Sequence, residues 1–287
     1  MKISKLFEIS PRTYSFEFFP PRDEISAVDF GINVGQLIKL SPSFVSVTYG
    51  AGGSNRERTF ALVDYLQNKI GMTTMAHYTC VNAPIDKIYS DLNQLKNSGI
   101  ENIMALRGDP RKGEDSFTPV EGGFSHANEL IAWIRQNFDF CTGAAAYPDV
   151  HPEADSPESD IEALKYKIDA GAEFLITQLF FDNNVYFDFV GRVRKAGIKS
   201  RIIPGIIPIT TYQQLARFTD MSRAKLPETI LDSMESYKDN PAKITQIGMD
   251  YAIKQCRDLL MMGAPGLHFY TLNKSRATVE IFETLLR

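Results

Sequence analysis

The chain has 287 residues, 44% of them hydrophobic and 23% charged, with a formal net charge of −4 at pH 7. That composition is ordinary for a globular protein with a sizeable core, and its slightly acidic balance gives no support to a nucleic-acid role. No apolar run approaches the roughly 20 residues of a membrane span.

The N-terminal "MKISKLFEIS" has no long apolar core and no cleavage site, so the expected location is the cytoplasm. Cys80, Cys141 and Cys256 are an odd, sparse set that suits reduced thiols rather than a disulfide framework. Metal-ligand spacing is equally poor. His77-x-x-Cys80 comes nearest, but a strand points those two side chains to opposite faces, so no bound metal is expected.

In chain order, the first strand-like run is "YSFEFF" (14–19), with a lone carboxylate, Glu17, inside an aromatic stretch just before two prolines. A carboxylate there is costly to bury, so it either faces water or has a task. Further runs follow at 44–50, 73–80, 102–109, 140–148, 173–181, 201–209 and 267–273, which makes eight. Helical patterns lie between them. Ile85, Ile88, Tyr89, Leu92 and Leu95 recur at helical spacing before Gly99. Ile161, Leu164 and Ile168 precede Gly171, and Phe189, Val190 and Val193 precede Gly197. Three helices that stop at a glycine shortly before the next strand are the mark of a repeated β/α unit.

Eight such units in under 300 residues predict a single (β/α)8 TIM barrel over residues 1–287. An open doubly wound sheet would leave fewer strands and need a reversal of strand order that the pattern does not show. The longest irregular stretch, "YPDVHPEADSPESD", follows the fifth strand and is expected to lie over the barrel mouth.

Barrel active sites gather at the C-terminal ends of the strands. Those ends carry Glu17, Thr48 and Tyr49, His77 and Thr79, Arg107 and Asp109, Tyr147 with His151 in its loop, Gln178, and Tyr270 with Asn273. Strand ends are often polar merely because they emerge into water, so the set argues more strongly than any member. "YGAGGSNRERT" brings Gly50, Gly52 and Gly53 before a helix, which suits either an anion or a tight turn; Asn55 breaks the dinucleotide fingerprint. Arg107 and Asp109 form either a structural salt bridge or a pair that tunes an electron-rich ligand. No lysine falls within the first seven strands, which argues against a Schiff-base aldolase, and no GxSxG elbow is present.

Taken together, "FEFFPPR", "VTYGAGG", "AHYTC", "LRGDP", "AAYPDVHPEA", "LKYKIDAGAEFLITQLFFD", "IIPGIIPI" and "HFYTLN" resemble the methylenetetrahydrofolate reductase family. The resemblance implies an FAD-bearing barrel that reduces 5,10-methylenetetrahydrofolate to 5-methyltetrahydrofolate by ping-pong hydride transfer, with NADH or NADPH as donor. It implies Glu17 as the general acid that opens the folate's five-membered ring to a 5-iminium cation, and Asp109 near flavin and pterin. FAD contacts are implied for Thr48, His77, Arg107, Gly108, Asp109, Ala127 with His126 beside it, Tyr147, His151, Asp160 and Lys167. Substrate contacts are implied for Glu17, Gln178, Gln214, Phe218, Tyr270 and Lys274.

The expected assembly is a homo-oligomer, with no nucleic-acid or membrane partner. The alternative is a subunit that works only within a larger electron-transfer complex, whose iron–sulfur clusters would belong to the partner. Several positions depart from the family pattern. The segment after strand four is longer, which bears on the adenine contacts; Tyr166 stands where a basic residue is frequent, and Lys274 where arginine is. The chain ends soon after the eighth unit, so no allosteric control by a bound methyl donor is expected.

Overall fold

A computed structural model describes residues 1–49, 56–109, 117–222 and 224–286, with backbone only at 219–222 and 286. The first strand, β1 (Thr13–Phe18), shows how the sequence pattern becomes architecture. Alternation sends Ser15 and Glu17 to one face and Phe16 and Phe18 to the other. Phe18 meets Phe30 of α2 (Glu24–Ile38) edge-on at 5.7 Å, and Phe16 meets Phe282 of α11 (Arg276–Leu286) at 6.1 Å. The aromatic face is therefore the sheet–helix interface, and Glu17 points into the barrel.

The remaining strands are β2 (Phe44–Val47), β3 (Thr74–Thr79), β4 (Asn102–Leu106), β5 (Cys141–Ala146), β6 (Phe174–Thr177), β7 (Arg201–Ile203), β8 (Gly205–Ile206) and β9 (Gly266–Tyr270). All neighbouring pairs are parallel, in the order β7-β6-β5-β4-β3-β2-β1-β9-β8. This is the expected α/β TIM-barrel-like fold, with one local difference. The predicted run 201–209 is shorter and split, because Pro204 has no N–H for the ladder. Its first half pairs with β6 and its second with β9, so this run brings the two ends of the sheet together. The Pro204 carbonyl still accepts from His268 N at 2.9 Å.

The helices that cover β3 to β7 include α3 (Arg56–Asp64), α4 (Ile85–Asn97), α5 (Ala127–Asn137), α6 (Pro157–Ala170) and α7 (Asn183–Lys195). Ile88, Leu92, Leu95, Ile161, Leu164, Phe189 and Val193 are buried, as their spacing predicts, while Ile85 and Tyr89 are exposed and Ile168 and Val190 are half-buried. Gly99, Gly171 and Gly197 all take positive φ (76°, 124° and 82°) where the helices end.

Two further parts position the site. A short N-terminal helix, α1 (Ile3–Ile9), is absent from the predicted elements and closes the lower end of the barrel. Ile3 is fully buried in a cluster with Phe44, Met75, Met104, Cys141, Phe174, Ile176 and Ile203, and its amide donates to Asn102 Oδ1 at 2.7 Å. Gly143 makes room here, since a Cβ would lie 2.6 Å from the Phe174 ring. After β8 the chain builds α8 (Gln213–Ser222), α9 (Glu228–Ser236) and α10 (Pro241–Met261) before reaching β9. These helices enclose a second core containing Leu179, Phe181, Ile209, Phe218, Ile230 and Met234. The barrel is thus sealed and apolar below, and its polar strand ends are left for the mouth.

Candidate active site

Glu17 is 6% exposed at the upper end of β1. Its Oε2 lies 3.4 Å from His77 Nε2 of β3 and 3.6 Å from His268 Nε2 of β9. Burial pushes the His77 imidazole below its usual proton affinity; the Glu17 charge pulls it back up and His268 lowers it further. The strand end is clamped by the turn after β9. Thr271 Oγ1 donates to the Glu17 carbonyl at 2.6 Å, and the Asn273 amide accepts from Phe19 N and donates to Phe19 O, both at 2.8 Å.

Beside this carboxylate opens a cavity of about 840 Å³, within the roughly 300–1,000 Å³ range of small-molecule sites. Thr48, His77, Arg107, Gly108, Asp109, Ala127, Tyr147, His151, Asp160 and Lys167 all line it, so the residues assigned to the cofactor by resemblance border one cavity. Three buried polar atoms on that wall, Thr48 Oγ1, Thr79 Oγ1 and His77 Nε2, have no hydrogen-bond partner. Unpaired buried polar atoms are costly, and a hydrogen-bonding ligand would relieve them. Gly108 is required where it is. Its φ is +92°, and a Cβ would approach Val81 to 3.0 Å; the same turn takes the chain out of β4 sooner than predicted.

The wall carries charges of both signs: Arg107 and Lys167 stand among Asp109, Glu153, Asp155 and Asp160. Arg107 does not pair with Asp109, which is exposed; it grips Glu153 through two bonds of 2.5 and 2.6 Å. That grip holds the Glu153 carboxyl below its usual range. Lys167 Nζ donates to the Ala145 carbonyl at 3.1 Å, and burial lowers its proton affinity despite the nearby Asp160. Asp160 is itself raised by burial, with its Oδ2 accepting from His151 N at 3.1 Å. His151 stands edge-on to Tyr147 at 4.5 Å, and its Nδ1 accepts from Glu153 N. Burial lowers the imidazole and raises the Tyr147 phenol to about 12. The first turns of α5 and α6 also border the cavity through Ala127, Asn128, Ser159 and Asp160; in α6 Ser159 N already donates to Ser156 Oγ and Asp160 N to the Ser156 carbonyl, so what that end offers is the partial positive charge of a helix N-terminus.

The residues assigned to the substrate are not gathered in this way. Gln178 accepts from Leu179 N at 2.9 Å, and Tyr270 donates to the Thr177 carbonyl at 2.6 Å. Gln214 Oε1 caps its own helix, accepting from the amides of Thr210 and Thr211. Phe218 is 1% exposed inside the second core, and Lys274 is exposed to solvent. None of these five lines the cavity. Tyr166 does, with its hydroxyl turned to Glu162.

Two groups escape the sequence reading. His268 adjoins Glu17 only because β1 and β9 pair, a contact between opposite ends of the chain. The other is a buried network behind Tyr49, in which Asp91 accepts from Tyr78 OH at 3.0 Å and pairs with Arg56. Its only signal was an acidic residue on the apolar stripe of α4. Gly50, Gly52, Gly53 and Asn55, and residues 110–116 of the long segment after β4, lie outside the described residues.

A family model described as methylenetetrahydrofolate reductase matches residues 2–286. Methylenetetrahydrofolate reductase (NADH) 1 of Arabidopsis thaliana is 38% identical over 295 residues, covering 99% of this chain and 50% of its own length. The 5,10-methylenetetrahydrofolate reductase of Escherichia coli K12 is 36% identical over 273 residues, covering 94% of this chain and 90% of its own. The chain therefore spans about half the length of the plant relatives and most of the bacterial one. Among solved structures, an uncharacterized protein from Clostridium thermocellum that binds two copies of 5-methyl-5,6,7,8-tetrahydrofolic acid matches with a TM-score of 0.66. Sequence identity there is 15%, with 98% of this chain and 97% of that one covered, so the likeness is one of fold.

Proposed function

This chain belongs to the methylenetetrahydrofolate reductase family, and we propose that it reduces 5,10-methylenetetrahydrofolate to 5-methyltetrahydrofolate with electrons from NADH or NADPH, using FAD held in the cavity. The observation that carries the cofactor is the wall itself. Three orphaned polar atoms border a cleft of suitable size, where Arg107 and Lys167 stand among four carboxylates and the starts of two helices. Thr48, Thr79 and His77 would receive the flavin's polar edge, while Arg107, Lys167 and the starts of α5 and α6 would face its diphosphate.

When bound, FAD would supply a two-electron relay between a nicotinamide and the folate. The chain's own residues then supply position and protons. Glu17 gives a proton to the nitrogen that leaves as the five-membered ring opens, and takes it back in the reverse direction. Its burial keeps bulk water from competing for that proton. Asp109, at the rim, offers a negative charge to the cation that ring opening creates. Gln178 would turn from Leu179 N to the pterin, Phe218 and Gln214 would meet the aminobenzoyl portion, and Lys274 is free in solvent to meet a glutamyl carboxylate. Tyr270 would back the folate from β9.

In this reading the chain is one barrel, works in the cytoplasm and assembles with copies of itself. Among the described residues no helix is long and apolar enough to cross a membrane. The purified protein is expected to be yellow, to bleach anaerobically with NADH or NADPH alone, and to regain colour with methylenetetrahydrofolate. Colourless protein that takes up no added FAD contradicts the proposal. Bleaching only in the presence of another protein assigns the chain to a larger electron-transfer complex.

A further inference from the structure

Helix α4 carries an apolar stripe in which Ile88, Leu92 and Leu95 are buried, and Asp91 falls on the same stripe at 1% exposure. A leucine would pack there as well, since a buried ion pair often adds nothing to stability over apolar side chains of its size. The carboxylate therefore calls for another reason, and its neighbours supply one. Asp91 Oδ2 accepts from Tyr78 OH of β3 at 3.0 Å and lies 3.4 Å from Lys87 Nζ, while Oδ1 pairs with Arg56 at the start of α3. The Arg56 guanidinium lies over the Phe60 ring at 5.0 Å and reaches Gln94 Oε1 at 3.4 Å.

Tyr49 joins this cluster to the cavity, which it lines. Its ring is 5.0 Å from Tyr78 and 6.4 Å from Phe60, and it is 4% exposed. Strand β2 ends at Val47, and Thr48 N still donates to the Phe18 carbonyl at 2.9 Å; Tyr49 comes after that bond. Alternation turns Thr48 into the barrel and Tyr49 outward, toward α3 and α4. Burial pushes the Tyr49 phenol up, the Asp91 charge pushes it further, and Arg56 and the Tyr78 hydroxyl draw it back. The phenol therefore stays neutral and keeps a hydrogen to offer the carboxylate.

We infer that Asp91 is a positioning residue for the cofactor wall: its buried carboxylate fixes the hydroxyls of Tyr49 and Tyr78 behind the strand ends, and so holds the Tyr49 ring in place at the cavity. Two helices then divide the work at the end of β2. Thr59 of α3 holds the backbone, donating to the Thr48 carbonyl at 2.9 Å, and Asp91 of α4 holds the next side chain. Asp91, Arg56 and Tyr78 are not among the described residues that line the cavity, so the effect passes through Tyr49. The inference rests on the reading of FAD as the cavity's ligand.

Titration of apoprotein with FAD, followed by fluorescence, tests the coupling. D91N and Y49F are each expected to weaken FAD by about 3–30-fold, the range of effects passed along a packed network. The double variant D91N/Y49F should lose no more than the weaker-binding single variant, because both substitutions remove one interaction. Unchanged affinity in D91N, or losses that multiply in the double variant, contradict the inference. R56M/D91L separates positioning from stability. Apolar replacement of the pair should keep the thermal midpoint of the apoprotein near the unsubstituted value, yet weaken FAD as D91N does. Full FAD affinity in R56M/D91L makes Asp91 a packing group and overturns the inference. The last readout needs no cofactor: the 19F spectrum of apoprotein with its 12 tyrosines as 3-fluorotyrosine. The lines that vanish in Y49F and Y78F should move in D91N while the others stay; an unmoved Tyr49 line contradicts the inference. If the unsubstituted protein takes up no FAD, the proposed function fails instead, and this spectrum still decides whether Asp91 holds Tyr49.

Discussion

The two halves of the barrel mouth are built differently. From β2 to β5, with α5 and α6, the wall is open and its polar atoms wait for partners. From β6 to β9, with α8, the polar groups are already spent on the protein: Gln178 on Leu179, Gln214 on its helix, Tyr270 on Thr177. Phe218 is packed in the second core. The first half resembles a seat for a resident ligand, prepared before it arrives. On the proposed function, the second would be the side where such contacts are exchanged for those of a visiting substrate. Preorganisation lowers the cost of binding, and its absence lets a site empty again.

This contrast breaks most visibly at Phe218. If the residue is mainly core, F218A should cost about 3–5 kcal/mol of stability, as other buried Phe truncations do, while F218L should cost less than about 1.5. Denaturant unfolding of the two variants checks it. A small loss in F218A together with a large rise in KM for folate would make Phe218 a substrate residue held loosely in waiting.

On the prepared side, Arg107 should matter for the cofactor and little for the fold, because its partner Glu153 is more than half exposed. R107A is expected to weaken FAD binding by about 10–100-fold, the worth of one hydrogen bond to a charged group. Fluorescence titration of apoprotein measures it. E153A should leave FAD affinity equal or better, since it frees the guanidinium; a loss like that of R107A would show that Glu153 shapes the seat.

A smaller effect is expected at Tyr270. Y270F leaves the Thr177 carbonyl without its 2.6 Å donor, at a cost of about 1 kcal/mol. No change in the thermal midpoint would mean that the hydroxyl is free to serve the substrate.

The smallest effect concerns pH. Burial holds His77 and His151 below the ordinary value of 6.5. The unfolded chain therefore takes up protons first as pH falls. The stability these neutral rings contribute is full above pH 6.5 and is lost progressively below it. The thermal midpoint should fall over that window, and H151N should shallow the slope. An unchanged slope removes His151 from the explanation.

The same contrast governs what the sequence revealed. The cavity wall was legible because each of its strands carries polar residues at its own end, next to a recognisable turn: Thr48, His77, Arg107 and Tyr147. Local alternation is enough to find such residues. Glu17 was legible for the same reason, as a carboxylate breaking an aromatic run. His268 was not, because its importance arises only when β9 closes against β1. Helix α1 was passed over because seven residues give little periodicity, although Ile3 and Phe7 seal the barrel floor. The split at Pro204 is a matter of which neighbour each half of the run meets. Long-range closure leaves no mark on neighbouring letters.

The central claim is that one mouth runs two half-reactions, and that Glu17 serves only the second. Rapid mixing of E17Q with NADH and then, separately, with methylenetetrahydrofolate tests it most directly. Flavin reduction by NADH should proceed at nearly the unsubstituted rate, while reoxidation by folate should slow by about 10²–10⁴-fold, the usual worth of a general acid. Normal rates in both half-reactions, or equal losses in both, would contradict the account.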